Sequence, residues 1–168
     1  SPAIVYPGNP QGRHARETGP RGCFQVDVGT KGQTRLKFIE TAVVRWEQGV
    51  PVALNGRPLD LLSMFREANA RAGAHGVGIG THVVENRFVG VKSRGIYEAP
   101  GMELLGRSYE YLLQFVLDRR ARELFDTVSK VVSVQIYQGY WFDLATTSAL
   151  AALEPMSRLA TGTITVRI

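Results

Sequence analysis

Residues 34–56, which decide the fold, read TRLKFIETAVVRWEQGVPVALNG. The apolar and β-branched residues of 34–46 predict a long strand. A glycine-containing link at 47–49 predicts that the chain then reverses into a second strand over 50–54. The Asn-Gly dipeptide that follows is typical of a turn. This stretch therefore predicts a β-hairpin.

The chain on the N-terminal side of this hairpin divides into a loop and a strand. Residues 1–22 carry proline and glycine too often for a regular element, and they predict a loop. Phe24, Val26 and Val28 alternate with polar residues, which is the pattern of a half-buried strand. Residues 29–32, GTKG, then predict the turn that follows this strand.

The chain on the C-terminal side mixes helical and strand-like patterns. Apolar residues at helical spacing predict helices, and runs of β-branched residues predict strands. The predicted helices cover 59–72, 100–116, 118–128 and 144–159, and the predicted strands cover 83–91, 131–137 and 163–168. This order predicts an α+β fold in which a mixed or antiparallel sheet packs against helices, preceded by a short β-rich N-terminal segment.

Length, composition and cysteine count narrow the class of protein. A chain of 168 residues, 44% hydrophobic and 21% charged, can bury a core and is unlike a disordered chain. Its one cysteine, Cys23, excludes an internal disulfide and a multi-cysteine zinc site, and it fits a reducing, cytoplasmic compartment. The sequence has no apolar run of about 18 residues, so no membrane span is predicted.

The net charge of +5 is unevenly distributed along the chain. Residues 1–46 carry seven Lys or Arg against three Asp or Glu, whereas the rest of the chain is nearly neutral. A basic segment is a candidate for phosphate contacts, and Arg13, Arg16 and Arg21 are the residues that would make them. One hypothesis is therefore a nucleic-acid-associated module that uses residues 1–46.

Two motifs that suggest chemistry have simpler interpretations. The run Gly76-x-Gly78-x-Gly80 resembles a phosphate loop, but a helix precedes it and a strand follows, which is the reverse of the order that phosphate loops need. It predicts a helix-to-strand connection. His14, His75 and His82 lack metal-ligand spacing, so neither a metal site nor a catalytic residue is predicted.

The densest polar stretch is Val84–Pro100, which reads VENRFVGVKSRGIYEAP. Glu85 and Arg87 share one face of the predicted strand, since side chains repeat every two residues. An acid, an amide, three cations and a tyrosine around two glycines offer donors and acceptors of both signs, as recognition of a zwitterionic amino acid needs. A surface strand with salt bridges remains the alternative.

This stretch carries a resemblance to argininosuccinate synthases. Lys92–Gly101, KSRGIYEAPG, is its most specific motif, and Gln48–Gly56 and the aromatic cluster Tyr140-Trp141-Phe142 also match. The likeness runs over 47–168 and resembles the family's C-terminal synthetase and multimerisation domain. The family uses ATP, with Mg, to join citrulline to aspartate through a citrullyl-adenylate, so the resemblance implies a ligase of arginine biosynthesis and a homo-oligomer.

The resemblance also implies the site residues. Glu85 and Tyr97 match the family's glutamate and tyrosine that contact citrulline. Weaker candidates, for positioning or subunit contacts, are Arg87, Lys92, Ser93 and Arg94. The connection at 76–84 is one residue longer than the family pattern. The Ser-Gly-Gly-Leu-Asp loop of the family's nucleotide-binding domain does not occur in this sequence, so we expect a truncated domain that is inactive alone and binds no cofactor without that partner domain.

Residues 1–46 resemble a different family. Their sequence is similar to the segment after the catalytic core in calcineurin-like metallophosphoesterases of the DNA-repair exonuclease type, without that family's metal motifs. We therefore expect a chimera of two parts, 1–46 and 47–168, joined near Arg45–Glu47. A structural domain without any ligand is a third hypothesis.

Overall fold

The computed structural model describes residues 3–6, 22–28, 34–85 and 92–168, with side chains described for 41–80, 92 and 95–168. Within these ranges the chain forms strands and helices in mixed order. They are β1 (Ala3–Tyr6), β2 (Gly22–Val28), β3 (Thr34–Glu47), β4 (Val50–Leu54), β5 (Arg57–Pro58), α1 (Leu61–Gly73), β6 (Ile79–Glu85), β7 (Lys92–Glu98), α2 (Pro100–Val116), α3 (Arg119–Tyr137), α4 (Leu144–Ser157) and β8 (Gly162–Arg167).

β3 is the central strand of the larger sheet. Its first half pairs with β2, and its second half pairs with β4 on one edge and β8 on the other. β1 extends the sheet beyond β2, and β5 extends it beyond β4. Every pairing among the described strands is antiparallel. The expected α+β class with an antiparallel sheet is therefore confirmed.

The predicted β3–β4 hairpin is confirmed, and two turns with positive φ define its ends. Gln48 (φ 49°) and Gly49 (φ 82°) reverse the chain between the strands. Asn55 (φ 52°) and Gly56 (φ 79°) form the turn after β4. The side-chain amide oxygen of Asn55 accepts a hydrogen bond from the backbone N–H of Val43 (2.8 Å), so this turn is tied to β3.

The core lies between the second half of β3 and the first two helices. α1 buries Met64, Ala68 and Ala72, four residues apart along one face. α2 buries two leucine pairs, Leu104–Leu105 and Leu112–Leu113, against the same core. The sheet contributes Ala42, Val44, Trp46 and Leu54. The alternation of β3 and the helical spacing of α1 and α2 therefore converge on one apolar cluster.

The last two helices pack against each other at the side of this core. α3 packs mainly on α4 and has no fully buried residue. The Arg122 guanidinium donates to the backbone oxygen of Glu110 at 3.0 Å, and the rings of Tyr109 and Phe125 lie 6.2 Å apart, so α3 is also joined to α2. Among the described residues, no helix has both the length and the hydropathy needed to cross a bilayer.

Several predicted elements are confirmed, and others are wrong. Strands β2, β3 and β8 and helices α1, α2 and α4 lie where the sequence placed them. The loop predicted for residues 1–22 is wrong at Ala3–Tyr6, which pairs with β2. Three of its four residues, Ile4, Val5 and Tyr6, have high strand propensity, and the prolines at positions 2 and 7 flank the strand instead of interrupting it. The turn predicted at 29–32 lies outside the described residues.

The strand predicted over 131–137 is also wrong. This stretch continues α3, which begins after the N-cap Asp118 and extends to Tyr137. Its β-branched residues favoured a strand, but Phe125, Val128 and Val132 are half-buried at helical spacing, and packing against α4 overrides the propensity. The strand predicted over 83–91 begins earlier, at Ile79. Its described part ends at Glu85, because residues 86–91 lie outside the described ranges.

Candidate functional site

The polar motif singled out in the sequence forms a two-stranded ribbon. β6 and β7 pair from Ile79 opposite Glu98 to Glu85 opposite Lys92, and they form a sheet of their own. The side chains of Ile96 and Tyr97 on β7 are 73% and 53% exposed. A two-stranded sheet is marginally stable by itself in water. The ribbon is therefore the part of this fold that most depends on how its ends are anchored.

The base of the ribbon is anchored to α1 and α2, at a place we call the ribbon joint: Asn69, Gly78, Ala99 and Gly101. The backbone N–H of Ala99 donates to the backbone oxygen of Gly78 at 2.9 Å. Gly78 has φ 77°, and a Cβ there would lie 2.8 Å from the Ala99 backbone, so only glycine fits. This contact fixes the direction in which the chain leaves the end of β7 towards α2.

The second contact of the ribbon joint caps α2 from another helix. The N-cap residue Ala99 has no side-chain oxygen, and Pro100 begins the helix. The side-chain oxygen of Asn69, on α1, accepts a hydrogen bond from the backbone N–H of Gly101 at 2.6 Å. Asn69 therefore replaces the missing cap. Sequence reasoning missed Asn69, because it lies 32 positions from the amide it caps.

The structure places the two expected citrulline contacts on the same ribbon but at different levels. Glu85 pairs with Lys92, and Tyr97 pairs with Gly80, five residue pairs away. At about 3.3 Å per residue these levels are roughly 17 Å apart. Because five is odd, positions 85 and 97 also belong to opposite faces of the ladder. The ribbon therefore contains both positions without bringing their backbones together.

The weaker candidates are distributed along the same strand. Lys92 is exposed at the far end of β7, opposite Glu85. Ser93 and Arg94 follow it, opposite Val84 and Val83. Arg87 lies outside the described residues, as do Arg13, Arg16 and Arg21 of the basic segment. The charged candidates that the structure describes are therefore grouped at the end of the ribbon far from the ribbon joint.

The glycine run before the ribbon is a helix-to-strand connection, as predicted. Gly76 (φ 69°) and Gly78 (φ 77°) turn the chain from α1 into β6. The backbone N–H of Gly76 donates to the oxygen of Gly73 (3.0 Å), and that of Val77 donates to the oxygen of Ala72 (3.1 Å). These amides close the C-terminal end of α1. Because these amides already donate to backbone oxygens of α1, they are not available to bind a phosphate.

Other concave or titratable features of the described residues offer less chemistry. A shallow groove of about 590 Å³ is lined by Glu47, Gln48, Val50, Val52 and Thr161, and it includes no residue of the ribbon. Within the described ranges, no three His, Cys, Asp or Glu side chains group as a metal would require. The ribbon is therefore the best candidate for a functional site.

The structure thus defines the class of protein as an α+β domain with an exposed polar ribbon. Comparisons with known proteins show the family of this domain. Residues 20–168 match the family model for the argininosuccinate synthase C-terminal domain. The chain is 37% identical over 144 residues to the argininosuccinate synthase of Rhodopirellula baltica. It is 35% identical over 144 residues to that of Methanocaldococcus jannaschii, and 37% identical over 132 residues to the chloroplastic enzyme of Arabidopsis thaliana.

The chain therefore belongs to the argininosuccinate synthase C-terminal domain family. The alignments cover 86%, 86% and 79% of this chain but 35%, 36% and 26% of the Rhodopirellula, Methanocaldococcus and Arabidopsis proteins, so the chain spans between about a quarter and about a third of their length. The family match begins at residue 20, earlier than the likeness over 47–168 that the sequence motifs indicated. These matches give the metallophosphoesterase resemblance of residues 1–46 no support, and the division at 46/47 stays a prediction.

Proposed function

We propose that this chain is the citrulline-binding part of an argininosuccinate synthase, a ligase of arginine biosynthesis that joins citrulline to aspartate with ATP. The observation that carries the proposal is the place of the motif Lys92–Gly101 within a family match over 20–168. Its first seven residues form β7, and its last residues enter the ribbon joint. The motif is thus displayed on a surface ribbon with a fixed base.

The chemistry of two residues suits citrulline. The carboxylate of Glu85 would accept hydrogen bonds from an ammonium or ureido N–H, and the phenol of Tyr97 would donate or accept one. Tyr97 is half exposed, so its side chain is accessible from solvent. Lys92, Ser93, Arg94 and Arg87 would position the substrate or contact another subunit.

The separation of the two positions limits how citrulline would bind. Because positions 85 and 97 lie five pairs apart, one molecule that contacts both must lie along the ribbon and not across it. Two-stranded ribbons twist more strongly than larger sheets, and the twist rotates the two ends of a face relative to each other. This twist is what would allow residues of opposite local faces to contact one ligand.

The proposed activity also needs groups from outside this stretch of chain. In our proposal ATP with Mg, aspartate and the remaining citrulline contacts are held by a nucleotide-binding domain, so the chain alone is inactive. The functional form would be a cytoplasmic homo-oligomer that combines both domains.

The test is a chimera in which residues 20–168 replace the matching part of the Rhodopirellula baltica enzyme. We expect the chimera to form argininosuccinate and the isolated chain to show no ATP–pyrophosphate exchange with citrulline. Tyr97→Phe should raise the KM for citrulline about five- to tenfold, as loss of one hydrogen bond predicts, and Glu85→Gln should act similarly. Glu98→Gln, exposed on the same strand, is the matched control and should change nothing.

Two results would contradict the proposal. Turnover by the isolated chain would show that no partner domain is needed. An unchanged KM for citrulline in both Tyr97→Phe and Glu85→Gln would remove the assigned contacts. Among the described residues nothing favours the nucleic-acid hypothesis for residues 1–46 over this proposal, and that hypothesis remains a prediction.

A further inference from the structure

Gly95 lies in the middle of β7, where glycine is normally unfavourable. A glycine inside a strand has no side chain to pack and loses more conformational freedom on folding than any other residue. Gly76 and Gly78 have positive φ angles that call for glycine, but Gly95 does not. The reason for a glycine at position 95 must therefore lie in what surrounds it.

The side chain of Tyr97 occupies the space next to Gly95. A Cβ at position 95 would lie 2.7 Å from Cε2 of Tyr97 and 3.1 Å from both its Cζ and its hydroxyl oxygen. A Cβ essentially never lies within 3.0 Å of a heavy atom outside its own residue and its two chain neighbours. The phenol ring thus lies back along its own strand, with the hydroxyl group over Gly95.

This placement brings the hydroxyl oxygen of Tyr97 closer, along the ribbon, to the level of Glu85. Residues two apart on a strand share a face, so the ring extends from position 97 over position 95, towards Lys92. The hydroxyl oxygen lies at the level of the Gly95–His82 pair, three pairs from Glu85 instead of five. The separation along the ribbon falls from roughly 17 Å to about 10 Å, at about 3.3 Å per residue.

We propose that Gly95 is a positioning residue: its missing side chain lets the Tyr97 ring lie along the ribbon, which directs the phenol hydroxyl towards the end that carries Glu85. The statement that the hydroxyl group is positioned for citrulline rests on the proposed function. The placement of the ring does not depend on any ligand.

The first experiment tests the ring placement by NMR on the full chain. The α-protons of Gly95 should be shifted from ordinary glycine values by the ring current of Tyr97 and should show contacts to its ring protons. In Tyr97→Leu the shift should disappear. Gly95→Ala should displace the ring and alter the Tyr97 ring resonances, whereas Gly106→Ala, where a Cβ meets nothing within 4 Å, should leave them unchanged. Ordinary Gly95 shifts in the native chain would overturn the proposal, even if Gly95→Ala does not fold.

The second experiment tests the consequence by calorimetry with citrulline on the chimera of residues 20–168 with the Rhodopirellula baltica enzyme. Gly95→Ala should weaken citrulline binding about five- to tenfold, as expected when one hydrogen bond is lost. In a Tyr97→Phe background the same change should have little further effect, because the hydroxyl is already gone. If Gly95→Ala weakens citrulline binding by the same factor in the native and the Tyr97→Phe backgrounds, the positioning role is overturned. If the chimera binds no citrulline while the Gly95 protons of the chain remain shifted, the proposed function fails and the ring placement stands.

Discussion

Removal of the cap that Asn69 provides to α2 should destabilise the ribbon joint by a predictable amount. In Asn69→Ala the backbone N–H of Gly101 loses its acceptor, which costs about 1.5 kcal/mol for a partly buried cap. Alanine is the better helix former within α1 and returns about 0.5 kcal/mol. The free energy of unfolding should therefore fall by about 1 kcal/mol, and the Tm by about 3 °C for a chain of this length.

Urea denaturation gives the free energy of unfolding, and hydrogen exchange of the Gly101 amide gives the local effect. Asn69→Asp keeps an oxygen acceptor at the N-terminal end of α2, where negative charge is favourable, and it should retain the native stability and the protection of this amide. Arg66→Ala, an exposed change on the same helix, is the second control. The reasoning is refuted if Asn69→Ala and Asn69→Asp lose equal stability, or if the Gly101 amide exchanges at the native rate in Asn69→Ala.

Three further predictions concern the core, the first helix and the basic segment. Met64→Ala removes a fully buried side chain and should lower the free energy of unfolding by about 3 kcal/mol in urea denaturation, whereas the exposed Leu62→Ala should change it by less than about 0.5 kcal/mol. Hydrogen bonds from the Ser63 hydroxyl and backbone N–H hold the pKa of Asp60 below its usual 3.8. The stabilising effect of Asp60 is therefore full above that pH and is lost as the pH falls through the lower, folded-state pKa. Urea titrations from pH 6 to pH 3 should show a smaller acid loss of stability in Asp60→Asn than in the native chain. If residues 1–46 bind nucleic acid, DNA affinity should fall steeply between two salt concentrations, and absence of binding at low salt eliminates that hypothesis.

Hairpins and amphipathic helices could be predicted because their signals are local. Gly49, Asn55 and Gly56 have the positive φ angles that their residue types favour, and glutamine at position 48 is the exception. α1 forms where apolar spacing predicted a helix, although its buried face is Met64, Ala68 and Ala72 while Leu61 and Leu62 are exposed. In these elements residue type, periodicity and packing agree, so local reasoning was sufficient.

The errors have causes that are not local. The C-terminal half of α3 contains Val131, Val132 and Val134, which favour a strand, and only the contact with α4 makes the helix preferable. β1 contains strand-forming residues, but the ladder that stabilises it is with β2, about twenty residues away. Neither partner is visible in a window of a few residues.

In the candidate site, too, local features could be predicted from the sequence and non-local contacts could not. The motif Lys92–Gly101 could be recognised as a unit, and the structure places its first seven residues on one strand. The role of Asn69 depends on the approach of α1 to α2, and the close contact of Gly95 with Tyr97 depends on a side-chain rotamer. Residue types and their order therefore identified the motif, but the groups that hold it in place required coordinates.

The continuity of β3 determines how this chain can be shortened. The strand extends from Thr34 to Glu47 without a break, and residues 41–46 form the whole ladder with β8. A fragment that begins at residue 47 would leave β8 without its partner strand. It would also expose the edge of β4 that faces β3, and an exposed strand edge promotes aggregation. A protease that cleaves before residue 34 would spare both ladders. A fragment that begins at or before residue 34 should therefore be more stable in urea denaturation than a fragment that begins at residue 47.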